Sequence, residues 1–397
     1  MNCQIKTKEL KDFKFFSEGY AKLFLKIFFY VSIIEFSFAP WFALYSNMTR
    51  LLSNVLYLCW FASLFCSVIL SSFNKKRINK ILPLICFFII YIGIGFLKAG
   101  AAAVFAYISS FLIPVMVACF LYCRKNLFSG KELNKFIFIL NLCCMINCIY
   151  ALYLTATFDG DFSKIYVAKA DYVLYNYIRN NRLRAFGFLN SAVIFSNYVS
   201  LVFIINLLSI KKKKYFFARL FFLTLSIVAL YYSGSRTPFL AIIVALGLIL
   251  VFNKQRKLVF IFSILSIIFL LIFLSLGSNL DLSALGRISQ YLEGINLFIH
   301  NPIGYGFGYA GFPAGVVSFD CSILTILINF GIIGLVTMLH MYYKSIRTVA
   351  VSQNEKTCNI ILINLFVLSA FVNVVHLGVL TLIILCYFIK KQGSLND

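Results

Sequence analysis

A short polar stretch, YYSGSRTPFL at residues 231–240, separates two apolar runs and carries groups that could bind an anion. Arg236 has a planar guanidinium that stays charged at any working pH and matches the oxygens of a phosphate. Ser235 adds a hydroxyl donor, Gly234 permits close backbone approach, and Pro238 suits the first turn of a helix whose N-terminal amides favour an anion. The stretch predicts a phosphate-binding turn, although an arginine reaching from a helix cap to water would give the same pattern.

Further arginines occur in two segments that are polar and rich in tyrosine. Arg184 ends the first of them, close to Arg179 and Arg182, and Arg287 lies in the second. A charge beside an apolar segment is costly unless it has a partner or a task. Together with Arg236, these arginines predict a site for a phosphate or diphosphate.

The second polar segment contains NPIGYGFGYAG at residues 301–311. Its alternating glycines are not a dinucleotide fingerprint, because no strand precedes a helix here. Glycines at this spacing let the backbone pack closely against sugars or against other helices. The aromatic residues between them suit stacking on sugar rings, and they equally suit an ordinary aromatic rim at a membrane interface. The candidate binding residues are Asn301, Gly304, Tyr305 and Gly306.

Asp320 stands immediately before the apolar run CSILTILINFGIIGLV. A carboxylate at a helix N-terminus is favoured by the helix dipole, and this role needs no further function. The alternative is a general base that takes a proton from an attacking hydroxyl, which requires hydrogen-bond reach of that hydroxyl. The sequence leaves both roles open.

Composition identifies the elements that must hold these residues. Hydrophobic residues make up 62% of the 397 residues and charged residues only 12%, whereas soluble domains are about 45–50% apolar. Runs such as LVFIFSILSIIFLLIFLSLG at 258–277 approach the ~20 apolar residues that a helix needs to cross a bilayer. Because lipid cannot satisfy backbone groups, each span must be a helix. We predict an all-α polytopic integral membrane protein, with residues 1–397 forming a single transmembrane domain.

About twelve transmembrane helices fit the hydropathy pattern, each near the ~20-residue length of a bilayer span. They are predicted at 23–41, 52–72, 81–97, 101–122, 136–156, 191–210, 215–232, 238–252, 258–276, 322–342, 358–376 and 378–389.

The net charge of +23 is spread over short basic clusters between these spans, including 74–80, 211–215 and 253–257. Short basic loops mark the cytoplasmic side, which argues against a nucleic-acid-binding surface. All the clusters fall on one side when both termini are cytoplasmic. The other side then carries two longer outer loops, 157–190 and 277–321, the second partly helical from 283 to 300. No C-x-x-C or histidine-rich pattern suggests a metal.

Four stretches in this order resemble the bacterial O-antigen polymerase family, within the wider O-antigen ligase and polymerase superfamily. They are RAFGFLNSAVIFSNY at 184–198, SGSRTP in the hairpin at 233–238, RISQYLEGINLFIHNPIGYGFG at 287–308 and DCSILTILINFGIIG at 320–334. The resemblance covers roughly the C-terminal half of the chain, and the first half is similar only in hydropathy.

The resemblance implies a metal-independent membrane glycosyltransferase without a cofactor, acting at the periplasmic face of the bacterial inner membrane. It would transfer a growing glycan from undecaprenyl diphosphate onto the next lipid-linked repeat unit. Arg236 and Arg287 would bind the diphosphate and stabilise the leaving group, with Arg184 as a third contact and Ser235 beside it. Expected partners are the lipid-linked oligosaccharide repeat units, a chain-length regulator and other membrane proteins of polysaccharide assembly.

Asp320 distinguishes two branches of this superfamily. Ligases that transfer the polymer to lipid A core usually have a histidine at this point, ahead of the Gly-Ile-Ile-Gly helix, so Asp320 favours a polymerase. An O-antigen ligase and a lipid-linked oligosaccharide flippase remain the alternatives. A flippase should carry charged residues inside its spans, and here the span interiors hold few beyond Glu35 and Lys26.

Overall fold

A computed structural model gives the structure of the chain. It describes residues 2–70, 75–113, 115–117, 130–161, 178–179, 182–189, 191–208, 216–252, 282–310, 315–319, 321–347, 360–361 and 363. This part is helical apart from one antiparallel pair of two-residue strands and the connecting loops. The predicted all-α class is confirmed. The candidate residue Asp320 lies outside the described residues.

The described residues contain ten α-helices and two strands, numbered in chain order. They are α1 (Asn2–Tyr45), α2 (Asn47–Ile69), α3 (Lys75–Lys98), α4 (Ala101–Tyr107), α5 (Gly130–Thr157), β1 (Ile178–Arg179), β2 (Arg182–Leu183), α6 (Ala192–Leu208), α7 (Phe216–Ser233), α8 (Thr237–Phe252), α9 (Leu282–His300) and α10 (Ser322–Arg347). A π-helical turn, Ile108–Leu112, continues α4.

Within the described residues, three helices contain segments long and apolar enough to cross a membrane: Arg50–Ile69, Asn134–Thr157 and Phe216–Ser233. Shorter apolar segments occur at Leu82–Lys98, Ala192–Leu208, Thr237–Val251 and Ser322–Thr337. All seven coincide with predicted spans. The predicted spans 258–276 and 378–389 and most of 358–376 lie outside the described residues, so the count of twelve and the sidedness remain predictions.

Six helices form the first assembly of the structure. Helix α1 packs on α2 and α5, α6 packs on α5, α7 and α8, and α5 also packs on α7. Their shared core includes the fully buried Tyr198 and Phe195 of α6 together with Cys144 and Cys148 of α5. Small side chains such as cysteine let apolar helices approach closely, which favours helix packing in lipid. The cysteines in this core thus contribute to packing.

An ion pair joins the middle of α1 to the first turn of α5. Lys26 contacts the carboxylate of Glu132, and Nζ of Lys22 lies 3.5 Å from the same carboxylate. Lys26 falls within the predicted first span, where an unpaired charge would be costly. The pair offsets that cost and places the start of α5 beside the middle of α1.

Helices α3, α4, α9 and α10 form a second assembly around the loop 301–310. Phe307 of this loop packs among Phe88, Tyr107 and Phe330 in a buried aromatic cluster. Helix α9 confirms the predicted helix at 283–300 and packs on α10.

The predicted sidedness can be tested by labelling single cysteines in a variant without native cysteines. We expect an impermeant thiol reagent to label position 165 and Val316 from outside, and not to label positions 212 and 255. Val316 is chosen because its side chain is 55% exposed, whereas Ala310 of the same predicted loop is buried. Labelling at 212 in intact cells would contradict the predicted span count.

Candidate functional site

The turn between α7 and α8 has a backbone fixed by local hydrogen bonds. Helix α7 ends at Ser233, and Gly234 follows with φ 62°, the left-handed conformation that commonly closes a helix. The Ser233 hydroxyl donates to the Leu230 carbonyl at 2.7 Å and accepts from the Ser235 amide at 3.3 Å. These hydrogen bonds therefore fix the backbone of the turn immediately before Arg236.

Arg236 is the residue immediately before α8. Its carbonyl accepts from the amides of Phe239 and Leu240, at 3.2 and 3.3 Å, so it caps the helix with its backbone. The side chain is exposed, while Ser235 and Thr237 on either side are buried. The guanidinium thus extends from the N-terminal end of a helix, where the peptide dipoles favour negative charge.

Arg184 is held against this turn from a distant part of the chain. Its Nε donates to the Ser233 carbonyl at 2.8 Å, and its Nη2 donates to the Ser235 hydroxyl at 3.0 Å. The amide of Ala185 also donates to the Tyr232 carbonyl at 3.0 Å. The structure therefore brings together Arg184, Ser235 and the backbone of the Arg236 turn, and it makes Arg184 a positioning residue of the turn.

Asn147 of α5 anchors the segment that carries Arg184. Its Nδ2 donates to the carbonyls of Ser37 and Cys143, and its Oδ1 accepts from the amide of Phe188 at 3.1 Å. Gly187, with φ 61°, lies so close that a Cβ would be 2.9 Å from the Asn147 carbonyl. The RAFGFL stretch is consequently locked onto α5, which explains the glycine in that motif.

Arg287 lies near the start of α9 with its side chain half-buried. Its Nε atom is buried and has no hydrogen-bond partner among the described residues. Tyr291, one turn further along, lies close to Arg287 and to the thiol of Cys321. Burial, reinforced by Cys321, raises the pKa of Tyr291 to about 12 against the opposing charge of Arg287. Its phenol therefore stays protonated at physiological pH.

The loop after α9 pairs with a break in α10. Gly331 interrupts that helix with φ 61° and ψ −156°. The amides of Tyr305 and Gly306 donate to the carbonyls of Ile328 and Asn329, at 2.8 and 3.0 Å, and the amide of Ile332 donates to the Pro302 carbonyl at 2.9 Å. The loop thus satisfies backbone groups that the break releases.

Two further side chains reinforce this pairing. The Tyr91 hydroxyl of α3 donates to the Ile303 carbonyl at 2.7 Å. The Asn329 amide bonds both the N–H and the carbonyl of Ala310, at 2.8 and 2.7 Å. A buried side-chain amide satisfied on both sides holds its partner backbone in one register. The loop is fixed at its start and at its end.

The glycines of this loop pack against helix backbones. Gly304 and Gly306 are buried with φ 102° and 100°, and a Cβ would lie 2.6 Å from the Gly331 nitrogen in one case and 2.5 Å from the Gly95 nitrogen in the other. Of the two predicted roles, close packing on the bundle is confirmed; contact with substrate stays a prediction. Phe307 is fully buried, so the prediction that it could stack on a sugar is wrong.

Tyr305 and Tyr309 remain half-buried at the surface of the loop. Their rings stack at 4.4 Å with an interplanar angle of 21°, and Nζ of Lys98 lies 5.0 Å from the centroid of Tyr305. The Tyr305 hydroxyl donates to the Leu297 carbonyl at 3.2 Å. Burial, and then the neighbouring phenol of Tyr305, raises the pKa of Tyr309. Asn301, by contrast, has a local role, since its side chain donates to the Gly304 carbonyl at 2.9 Å.

Residues 220–339 match the family model Wzy_C, described as O-antigen ligase. This segment is similar to members of the O-antigen ligase and polymerase superfamily. The match includes Arg236, Arg287 and the loop 301–310, and it ends before α10 does. Neither the curated proteins nor the solved structures contain a match to the chain. The predicted family resemblance is confirmed, and members of the family are membrane glycosyltransferase-like enzymes of lipopolysaccharide biosynthesis.

Two residues that contact the candidate site were missed by the sequence prediction. Asn147 anchors the Arg184 segment from a helix outside the matched range, and no local pattern marks it. Lys98 carries a recognisable signal, because it is a basic residue at the end of a predicted span where the loop should face outward. It was overlooked because it stands alone and its ring partner, Tyr305, is 207 positions later in the chain.

Close packing of α3 on the loop 301–310 predicts different effects for two glycine substitutions in α3. A Cβ on Gly95 would collide with the backbone of Phe307, whereas a Cβ on Gly93 would meet nothing within 4 Å. We expect Gly95→Ala to destabilise the protein by about 1–3 kcal/mol through overpacking. Gly93→Ala should be neutral or stabilising by up to about 1 kcal/mol. Thermal unfolding of the purified variants in detergent measures both, and equal midpoints would contradict the packing.

Bonds from Arg184 to the turn give a second prediction. Arg184→Lys keeps the charge but cannot donate from a rigid fork to both Ser233 and Ser235. If positioning is its role, the lysine variant should lose about 1–3 kcal/mol of transition-state stabilisation, close to the loss in Arg184→Ala. Glycosyltransferase activity per unit of membrane-inserted protein measures this. Full activity of the lysine variant would show that charge alone matters here.

Proposed function

We propose that this chain is an O-antigen or surface-polysaccharide polymerase that transfers a growing glycan from a polyprenyl diphosphate onto the next lipid-linked repeat unit. The observation that carries the proposal is the Arg236 turn. An exposed guanidinium stands at the N-terminus of a helix, within the segment that matches the O-antigen ligase family. Arg184 donates hydrogen bonds to Ser233 and Ser235 of the same turn. This combination suits a diphosphate at a helix end.

The Arg236 turn suits the following glycosyl transfer. An acceptor hydroxyl oxygen attacks the anomeric carbon of the sugar joined to the diphosphate, and the new glycosidic C–O bond forms as the C–O bond to the diphosphate breaks. The electron pair leaves with the diphosphate, whose increased negative charge Arg236 and the positive end of the α8 dipole stabilise. The hydroxyl proton passes to a base, for which Asp320 is the candidate.

Arg287 is the second proposed diphosphate contact. Its buried Nε lacks a hydrogen-bond partner among the described residues, and a buried donor without a partner is costly unless a ligand satisfies it. A diphosphate oxygen would satisfy this nitrogen.

The choice of a polymerase over a ligase rests on Asp320, since ligases of the superfamily usually have a histidine there. The undecaprenyl carrier, the inner membrane and the periplasmic active face complete the proposal, with a chain-length regulator and other assembly proteins as partners. The positive-inside pattern supports the sidedness, because it predicts an outward position for the Arg236 turn.

The function is tested by lipopolysaccharide gels from a strain in which this one gene is deleted and replaced by variants. Deletion should leave core bearing a single repeat unit and no ladder, because flipping and ligation continue without polymerisation. Arg236→Ala and Arg287→Ala should fail to restore the ladder, since loss of one such donor costs about 3 kcal/mol of transition-state stabilisation.

Arg50→Ala is the matched control for these variants. Arg50 is also exposed and is also predicted to face outward, but it belongs to α2, outside the matched segment. The control should restore a full ladder at the same protein level. Core with no repeat unit after deletion would instead indicate a ligase or a flippase, and a full ladder from Arg236→Ala at normal abundance would remove Arg236 from catalysis.

A further inference from the structure

We propose that Lys98, Tyr305 and Tyr309 form a glycan-binding platform that takes a sugar ring carrying an acidic substituent. The proposal rests on the proposed function, because it names the part of the lipid-linked glycan that this surface would hold. Lys98 comes from the end of α3 and the two tyrosines from the loop 301–310, so the platform exists only after the second assembly has folded.

The platform combines an apolar face with an exposed cation. Tyr305 and Tyr309 stack at 4.4 Å, and the Lys98 ammonium lies 5.0 Å from the Tyr305 centroid, within cation–π distance. Both rings are half-buried and Lys98 is exposed, so each keeps surface for a ligand. Each ring therefore packs against the other with part of its surface and leaves another part accessible to a ligand.

The backbone beneath the rings is unusually well held. Tyr305 donates its amide to α10, Phe307 donates its amide to the Tyr91 carbonyl of α3 at 2.8 Å, and Ala310 is bonded on both sides by Asn329. A site whose backbone is already fixed loses little entropy when it binds a ligand. This preorganisation distinguishes the platform from rings that only anchor a helix at the membrane interface.

The side chains of the platform indicate which kind of ligand it would bind. The apolar face of a pyranose ring can lie on an aromatic face, as planar bases do on the aromatic side chains of nucleic-acid-binding proteins. Lys98 supplies three N–H donors and a full positive charge, which favours a carboxylate or phosphate substituent next to that ring. A lysine at an outward-predicted position also runs against the usual charge bias, and interface anchoring by tyrosine does not require it.

The test is saturation-transfer NMR with full-length protein in nanodiscs. The probe is the oligosaccharide that mild acid releases from the lipid carrier of a strain lacking this gene. We expect transfer from aromatic protons to the sugar ring of that probe. Tyr309→Ala should weaken binding about tenfold and Tyr309→Phe should retain it, because the ring supplies the contact.

Lys98 is tested by the same measurement on two forms of the probe. Lys98→Gln should weaken binding of the native glycan several-fold, and Lys98→Arg should retain it. Neither change should affect the glycan after its acidic groups have been reduced or removed. Composition analysis should accordingly find an acidic sugar or substituent in the repeat unit, and a repeat unit without one would overturn the role of Lys98.

Tyr153→Ala serves as the control, since Tyr153 is an exposed tyrosine near the end of α5 and outside the platform. Binding unchanged by Tyr309→Ala, or weakened equally by Tyr153→Ala, would overturn the platform. The readout needs no turnover, so it is independent of the gel. If binding does not depend on Tyr309 but gene deletion still abolishes the ladder, the platform is rejected and the proposed function stands. A normal ladder after gene deletion would instead reject the proposed function.

Discussion

The break in α10 is the constraint on which the second assembly depends. Gly331 lies nine residues after the helix begins at Ser322, which corresponds to about 14 Å along the axis at ~1.5 Å per residue. At such a depth in a predicted span, lipid offers no hydrogen bonds, so an interrupted helix must find partners in the protein. The loop 301–310 provides them, and its own amides are satisfied in return. Loop and helix therefore require each other.

That mutual requirement explains the glycine spacing in this loop. Backbone-to-backbone contact leaves no room for a Cβ at Gly304 or Gly306, and the positive φ angles add a second reason for glycine. Phe307 turns inward and fills the aromatic cluster, while Tyr305 and Tyr309 are carried to the surface. One packing constraint thus creates both the rigid interior of the loop and the half-buried pair of rings at its surface.

Sequence reasoning worked where the signal is local. The α8 start at Thr237, the α9 end at His300 and the polar turn between α7 and α8 lie within one residue of their predicted positions, because hydropathy, glycine and proline mark them. Prediction from the sequence failed where the local structure depends on contacts between segments that are far apart in the chain. Nothing near Gly331 marks a helix break in FGIIG, and the bonds from Arg184 to Ser233 and Ser235 join residues about fifty positions apart. The inward direction of Phe307 likewise depends on Tyr107 and Phe330, which local spacing cannot reveal.

The proposed substrate has two parts, a diphosphate and a glycan, and a different segment of the protein would bind each part. A diphosphate needs fixed donors and positive charge, and the Arg236 turn supplies them through a helix end whose geometry Arg184 and Asn147 hold. Such donors stabilise a leaving group best when they do not reorganise during the reaction. A glycan needs flat apolar faces with few polar groups, and the loop supplies those from a backbone already bonded to α3 and α10. In both places the bonds that confer rigidity come from residues that need not touch substrate. Substitutions at Asn147 or Asn329 should therefore act on catalysis through the geometry of their neighbours.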